Sequence, residues 1–247
     1  MKAFADHFST ISAEYAAYRP RYPSRLFHVL AEAAPRRRIA WDCATGTGQA
    51  ARELTRWFDR VVASDASAAQ VRKGERRESV GYFAAVAETV PLRSASADLI
   101  TVAQALHWIE LHPFYAEARR VLSPGGLLAA WTYGRHRVDG GAIDAQVEQF
   151  YEEVVGPYWP PERHWVESGY SGLPFPFERV SLTIPPMTEE WTLGQMLGYM
   201  STWSAVVRYI QVNGVDPLLA LAERLAPLWE PDRPRRIEWA LTLLAGR

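Results

Sequence analysis

The sequence is poor in cysteine and has no long apolar run. Cys43 is the single cysteine among 247 residues, so an intramolecular disulfide and a zinc site built from several cysteines are both excluded. A reducing cytoplasm is therefore the expected compartment. No apolar segment approaches the ~20 residues that a membrane span needs, and residues 1–7 lack the apolar stretch of a secretory signal. We expect neither a membrane anchor nor a signal peptide.

The charge of the chain is balanced, with 27 basic residues, 28 acidic residues and a formal net charge of −1. This balance gives no support to a nucleic-acid-binding surface, because such a surface needs a basic excess. Lys2 and Lys73 are the only lysines, which disfavours an oxidoreductase that relies on a Tyr–Lys pair. No metal-ligand cluster stands out among the six histidines, so we expect no metal cofactor.

Residues 38–49 form the stretch around which the rest of the chain is organised. A short apolar run reaches a carboxylate at Asp42, and the chain then turns through Ala44, Gly46 and Gly48 before a helical pattern begins. This order predicts a strand, a tight turn and a helix, the unit in which an α/β sheet presents its strand ends to a nucleotide-like ligand. The two glycines allow a sharp turn and a close approach of the backbone to a ligand.

Two ligand classes and a structural alternative fit this turn. Gly46, Gly48 and Ala51 match the G-x-G-x-x-[GA] fingerprint of dinucleotide-binding folds. Asp42 favours the other class, because a carboxylate beside a pyrophosphate is unfavourable, whereas it suits a ligand that carries an ammonium group. S-adenosylmethionine (SAM) has an ammonium, a sulfonium and no phosphate. An ordinary βα turn with glycines is the structural alternative.

A second acidic residue lies at the spacing expected for a ribose contact. Residues 60–65 form another apolar run that ends at Asp65, 19 residues after Gly46. A carboxylate about 20 residues beyond the glycine turn holds ribose hydroxyls in dinucleotide-binding folds. The alternative role of Asp65 is to cap the helix that begins near Ser67.

The alternation of strands and helices predicts an α/β fold with a parallel, doubly wound sheet. Five strand–helix units extend through the first half of the chain, and two later strands enclose an aromatic helical segment, which we expect to form a lid between strands six and seven. The predicted units are a helical segment at 1–35, a core at 36–135, an irregular loop at 157–176, a sixth, edge strand at 177–184, helices at 188–209 and 216–229 within a lid at 186–232, and a last strand at 237–244.

Several short segments, taken in order, resemble one enzyme family. Residues 42–48 read D-x-[GA]-x-G-x-G, with Ala44 where glycine is commoner. The other segments are Tyr18-Arg19-Pro20-Arg21-Tyr22-Pro23, Ala87-Glu88, Gln104-Ala105-Leu106-His107-Trp108 and Ser123-Pro124-Gly125-Gly126. Together they resemble class I SAM-dependent methyltransferases, in particular the trans-aconitate-type group of small-molecule methyltransferases (methyltransferase type 11). The resemblance implies one Rossmann-like domain with seven strands, the last of them antiparallel.

The same resemblance implies a set of cofactor contacts. SAM is the implied cofactor, and its amino-acid end would be held by the motif from Asp42 to Gln49, with Asp65 at the ribose. The backbone around Ala103 and Gln104 would lie beside the methionine portion, and Ala87 and Glu88 would flank the adenine. The implied cofactor-binding residues are Arg19, Asp42, Ala44, Gly46, Gly48, Gln49, Asp65, Ala87, Glu88, Ala103 and Gln104. Arg19 could instead be solvated or pack on aromatic rings.

The acceptor side of the site is less sharply defined. His107 follows the fourth strand and is the candidate general base, with a structural, backbone-bonded histidine as the alternative. Trp108, Tyr133 and Trp203 are candidate substrate-binding residues, and packing within the lid is the alternative for Trp203. Residues 135–137 are predicted to form a polar loop that could meet an anionic acceptor.

The predicted activity is methyl transfer from SAM to a small-molecule acceptor by in-line displacement. A carboxylate or hydroxyl oxygen is the favoured acceptor atom, and a carboxylate would need no base. One alternative is a SAM-binding protein that has lost catalysis and serves as an interaction partner. The other is an NAD(P)-dependent oxidoreductase that uses the fingerprint at Gly46.

Overall fold

Seven strands form one mixed sheet in the order β3-β2-β1-β4-β5-β7-β6. The computed structural model describes residues 19–75, 77–230 and 232–247. The strands are β1 Ile39–Cys43, β2 Arg60–Asp65, β3 Val80–Ala84, β4 Ala97–Ala103, β5 Leu122–Val138, β6 Met187–Trp191 and β7 Arg235–Gly246. Neighbours among β1 to β5 are parallel, whereas β7 runs antiparallel to both β5 and β6. This confirms the predicted sheet with its antiparallel last strand.

Helices pack on both faces of this sheet. They are α1 Ser24–Ala33, α2 Gln49–Leu54, α3 Ala68–Lys73, α4 Leu111–Val121, α5 Gly141–Gln149, α6 Arg163–Glu167, α7 Leu193–Ser201, α8 Ser204–Asn213 and α9 Pro217–Leu225. Each amphipathic helix turns its apolar side inward, as α1 does with Leu26, Phe27 and Leu30. One buried cluster lies against α1, α2 and the helices α7 to α9, and a second lies against α4. The fold therefore has three layers.

The path of the chain through the sheet creates a crevice. From β1 the chain moves outward through β2 to β3, and it then returns to form β4 on the other side of β1. In such sheets ligands bind outside the carboxyl ends of the strands, where the strand order reverses. That point lies between β1 and β4, directly after Cys43 and Ala103.

The predicted position of the sixth strand is wrong. Residues 177–184 make one isolated bridge, between Arg179 and Gly246, whereas β6 is Met187–Trp191. Residues 178–180 follow the end of β7, but the chain then leaves the sheet before Pro185 and Pro186. Proline cannot donate to a ladder, so regular pairing with β7 starts only at Met187, which faces Trp239.

The helix predicted from residue 188 begins later, at Leu193. Thr192 caps α7 by accepting a hydrogen bond from the Gln195 backbone N–H, and the Gln195 side chain accepts one from the Thr192 N–H. This reciprocal T-x-x-Q pair is a helix-start signal that was available in the sequence. Because it fixes the helix start, the residues before it are free to form β6.

The structure also bears on the predicted polar loop and on the predicted helical insertion. Residues 135–137, predicted as a polar loop, belong to β5, which continues to Val138 alongside β7. The helices α7, α8 and α9 lie between β6 and β7 in sequence, whereas residues 187–191 at the start of the predicted lid form β6; the role of these helices as a lid stays a prediction. The helix predicted before residue 19 lies outside the described residues. No helix within the described ranges combines the length and apolarity that a membrane crossing requires.

Candidate functional site

The turn between β1 and α2 has a left-handed backbone at three positions. Ala44, Gly46 and Gly48 have φ angles of 54°, 58° and 88°. A side chain at such a position is strained, and the alanine at position 44 is one of four non-glycine residues with positive φ in the described part of the chain. A Cβ built on Gly46 would meet no atom within 4 Å. The space above Gly46 is therefore open to a ligand.

Gly48 is constrained by a neighbouring side chain as well as by its backbone. Tyr82 from β3 lies against the turn, and a Cβ on Gly48 would overlap the Tyr82 hydroxyl. The same ring packs against Gly74 after α3. The glycine at position 48 is thus required by packing, in addition to any requirement of a ligand.

Asp42 lies beneath the turn. Its carboxylate is fully buried and accepts hydrogen bonds from the Thr101 hydroxyl at 2.7 Å, from the Ala51 N–H at 3.0 Å and from the Thr45 hydroxyl. Burial raises the pKa of Asp42 to about 6, against the effect of these hydrogen bonds. Asp42 therefore holds the turn, the start of α2 and β4 together, and its predicted contact with a bound ammonium stays a prediction.

Asp65 is half-buried at the end of β2 and reaches the same turn. One carboxylate oxygen accepts from the Gly46 N–H at 2.8 Å, and the other accepts from the Ser67 N–H at 2.8 Å. The cap of α3 itself is Ser67, whose side chain accepts from the Gln70 N–H. Asp65 thus links the glycine turn to the start of α3, and its carboxylate oxygens can accept further hydrogen bonds from a ligand.

Residues 19–22, the first that the structure describes, lie across the site. The Gln49 side-chain amide donates to the Pro20 carbonyl at 2.9 Å, and Arg19 donates to the Tyr133 hydroxyl at 3.2 Å. Tyr22 packs edge-on against Trp131 and Tyr133. Arg19 and Pro20 consequently connect Tyr133 of β5 with Gln49 at the start of α2.

The residues after β3 and β4 complete the crevice. Glu88 is half-buried and accepts a hydrogen bond from the Glu110 N–H at 2.9 Å, while Ala87 packs on the second core cluster. Ala103 ends β4, and Gln104 adopts a left-handed backbone with φ of 55°. The Gln104 side chain bonds both the N–H and the carbonyl of Tyr133 at 2.9 Å. Gln104 therefore fixes the end of β4 to Tyr133, within β5.

His107 lies on the single helical turn Leu106–Trp108 and is bonded to a residue that the sequence did not indicate. Its Nδ1 is 3.1 Å from the hydroxyl of Tyr170, a buried residue with φ of 62°. Burial, with the nearby charge of Arg163, lowers the pKa of His107 to about 4, so the ring is neutral at pH 7. Trp108 beside it is 39% exposed.

Two of the candidate acceptor residues are buried, Tyr133 on β5 and Trp203 in the helical insertion. Trp203 directly precedes α8. Trp203 packs against Tyr199 and against His136, a histidine of β5 that the sequence analysis placed in a loop. Within the described ranges, no group of three or more His, Cys, Asp or Glu side chains could hold a metal ion.

The site residues from both halves of the sheet thus meet at one edge. Residues 42–48 and Asp65 follow β1 and β2, Ala87 and Glu88 follow β3, residues 103–108 end β4 and follow it, and Tyr133 lies in the outer part of β5. Because the carboxyl ends of parallel strands lie on one side of the sheet, these residues gather where ligands bind in such folds. Tyr82 contacts Gly48 and Tyr170 contacts His107, although both come from distant parts of the sequence.

Comparison with known proteins identifies the family. Residues 41–130 match a family model described as a methyltransferase domain. A Dictyostelium discoideum protein described as a methyltransferase is 34% identical over 226 residues, which span 90% of this chain and 86% of that protein. An uncharacterized methyltransferase of Mycobacterium tuberculosis is 30% identical over 232 residues, spanning 89% of this chain and 88% of that protein.

A solved structure agrees with these sequence relatives. The structure of an Anaeromyxobacter dehalogenans protein, described as a type II methyltransferase, is 46% identical and superimposes with a TM-score of 0.87. The match covers 93% of this chain and 97% of that one. The chain belongs to the class I SAM-dependent methyltransferases.

Proposed function

We propose that this methyltransferase binds SAM in the crevice between β1 and β4 and transfers its methyl group to a small-molecule acceptor. The favoured acceptor atom is a carboxylate or hydroxyl oxygen. The observation that carries the proposal is the turn at residues 44–48, which is left-handed at Ala44, Gly46 and Gly48, open above Gly46 and bonded to Asp65 through the Gly46 N–H. A carboxylate held against an open glycine turn fits a ribose whose hydroxyls donate to it.

The other cofactor contacts follow the strand ends. Ala87 and Glu88, in the loop after β3, would flank the adenine, and Ala103 with Gln104 would border the methionine portion. Arg19 and Gln49 would close the amino-acid end, and the buried Asp42 would act by holding the turn in shape. Bound SAM supplies a methyl group that is already activated on a sulfonium. The protein's own task is to orient the acceptor and to exclude water.

His107 is the proposed proton acceptor when the methyl acceptor is a hydroxyl. Its neutral ring can take a proton, and its bond to the Tyr170 hydroxyl fixes the ring's orientation. A carboxylate acceptor needs no such step. Trp108, Tyr133 and Trp203 are the proposed walls of the acceptor pocket, with the insertion α7–α9 as its lid.

The ribose contact can be tested with one substitution. Asp65→Ala should weaken SAM binding by roughly 2 kcal/mol, which is a factor of about 30, because charge-assisted hydrogen bonds are lost. Isothermal titration calorimetry with SAM measures this, and thermal unfolding checks that the fold is intact. Asp59→Ala, at an exposed position just before β2, is the matched control and should bind as the wild type does. Unchanged affinity in a folded Asp65→Ala protein would remove the ribose assignment.

A further inference from the structure

His136 is a buried polar residue among aromatic side chains. It lies on β5 opposite Trp239 of β7 and is 5% exposed. Its ring centroid is 5.7 Å from that of Tyr199, 5.8 Å from that of Trp203 and 5.6 Å from that of Trp239. We call these three residues the aromatic box. Neither ring nitrogen of His136 has a hydrogen-bond partner among the described residues.

Such a group is unusual in a folded protein. Buried side-chain nitrogens are nearly always hydrogen-bonded, and one that is not calls for an explanation such as a ligand. Burial lowers the pKa of His136 to about 3, and the charge of Arg163 adds to this effect, so the ring is neutral. A neutral imidazole offers one donor and one acceptor. The aromatic box therefore surrounds an unused donor–acceptor pair.

A cavity lies next to this ring. Its volume is about 280 Å³, and its lining includes His136, Trp203, Tyr151 and Val147. Trp203 both lines the cavity and packs on the His136 ring. Among the charged residues of the lining, Arg135 forms ion pairs with Glu148 and with Glu152, whereas Arg137 is exposed. Asp144, also in the lining, accepts from the Val138 N–H at 2.9 Å.

The cavity is close to the proposed methyl-transfer site. Tyr199 of the aromatic box lies near Tyr133 and near the guanidinium of Arg19. Tyr133 in turn is bonded to Gln104 at the end of β4. A ligand at His136 would therefore lie on the β5 side of the crevice, whereas the glycine turn lies on the β1 side.

We infer that His136 is the polar anchor of the acceptor pocket, and that the acceptor is an uncharged aromatic alcohol of one or two rings. This inference rests on the proposed function and narrows its acceptor class. A phenolic hydroxyl can donate to one nitrogen of a neutral imidazole or accept from the other, and its ring can pack edge-on or offset against the aromatic box. A carboxylate would satisfy the donor alone, and its desolvation among indole rings is unfavourable.

The test uses the whole protein saturated with S-adenosylhomocysteine, titrated calorimetrically with 2-naphthol and with 2-naphthoate. We expect 2-naphthol to bind at least about tenfold more tightly than 2-naphthoate, and His136→Phe to weaken 2-naphthol binding at least about tenfold. Phenylalanine keeps the ring and removes both nitrogens. His112→Phe, at an exposed position of α4, is the matched control and should leave both affinities unchanged.

Three outcomes overturn the inference: no binding of 2-naphthol to wild type, tighter binding of 2-naphthoate, or equal 2-naphthol affinity in wild type and His136→Phe. If His136→Phe does not fold, the ¹⁵N resonances of the imidazole nitrogens in the wild-type protein decide. Addition of 2-naphthol must shift those of His136, and unchanged resonances overturn the inference. Failure of S-adenosylhomocysteine to bind would instead be a failure of the proposed function, so the two failures are distinguishable.

Discussion

Gly48 combines a left-handed backbone with close packing of the Tyr82 side chain. We predict that Gly48→Ala destabilises the protein by about 2 kcal/mol or more, because the new Cβ is strained at this φ and overlaps the Tyr82 hydroxyl. Gly46→Ala shares the positive φ but meets open space, so it should cost only about 1 kcal/mol. Urea unfolding measures both.

A double variant separates packing from backbone strain at this position. Tyr82→Phe removes the overlapping hydroxyl, so it should recover part of the stability lost in Gly48→Ala. Equal losses at positions 46 and 48, with no recovery in the double variant, would show that Tyr82 plays no part.

The raised pKa of the buried Asp42 leads us to predict that the stability of the protein depends on pH. Folding raises its pKa from 3.8 to about 6, so the stability that it contributes is fully present below pH 4 and is lost as pH rises through 6. The difference of about two pKa units corresponds to about 3 kcal/mol. The stability of Asp42→Asn relative to wild type should therefore increase by this order between pH 4 and pH 7.

Urea unfolding of both proteins at several pH values measures this difference. His107 and His136 have lowered pKa values, so their contributions are lost in the opposite direction, as pH falls below about 6.5. Because both proteins contain them, their effect cancels in the comparison. A difference that stays constant with pH would mean that Asp42 is not buried in the folded state.

At the scale of elements, the start of α7 is set by a capping signal in the sequence, although the apolar pattern begins earlier. Thr192 and Gln195 form a reciprocal cap, and we predict that Thr192→Ala lowers the free energy of unfolding by about 1 kcal/mol. Thr192→Ser keeps the hydroxyl and should stay within a few tenths of wild type. Thermal unfolding of the two variants is the measurement, and equal losses would contradict the capping role.

The elements that the sequence predicted well are those with local signals. The β1–turn–α2 unit carried its glycines and its apolar run within twelve residues, and the alternation of strands and helices gave the doubly wound order. The sixth strand was predicted from the alternating pattern of residues 177–184. In the structure this segment forms one isolated bridge, between Arg179 and Gly246, and alternation alone cannot distinguish one bridge from a paired strand. The cap at Thr192 was the missed local signal.

Other features of the site depend on contacts that no local pattern reveals. Tyr170 meets His107 across 63 positions of sequence, and Tyr82 reaches Gly48 from another strand. The burial of Asp42 follows from its place in β1, which is covered on both sides by neighbouring strands. His136 could be assigned to β5 only once its pairing with β7 was known.

At the scale of the whole molecule, the proposed cofactor part and the proposed acceptor part of the site lie in different regions of the fold. The glycine turn and Asp65 sit at the ends of the central parallel strands, where the strand order reverses. Tyr133, His136 and Trp203 belong to the region where β5, β7 and the insertion meet, within or against the larger core cluster. In the proposed function, the cofactor half of the site therefore comes from the central strands and the acceptor half from the region of the insertion.

The central claim is that the crevice between β1 and β4 is a SAM site rather than a dinucleotide site. Calorimetric titration of the purified wild-type protein with SAM, S-adenosylhomocysteine and NADH tests it most directly. We predict saturable one-to-one binding of the first two ligands and no heat of binding for NADH, because the carboxylate of Asp65 at the glycine turn, with the buried Asp42 beneath the turn, is unfavourable beside a pyrophosphate. Binding of NADH alone, with both SAM and S-adenosylhomocysteine silent, would contradict the account.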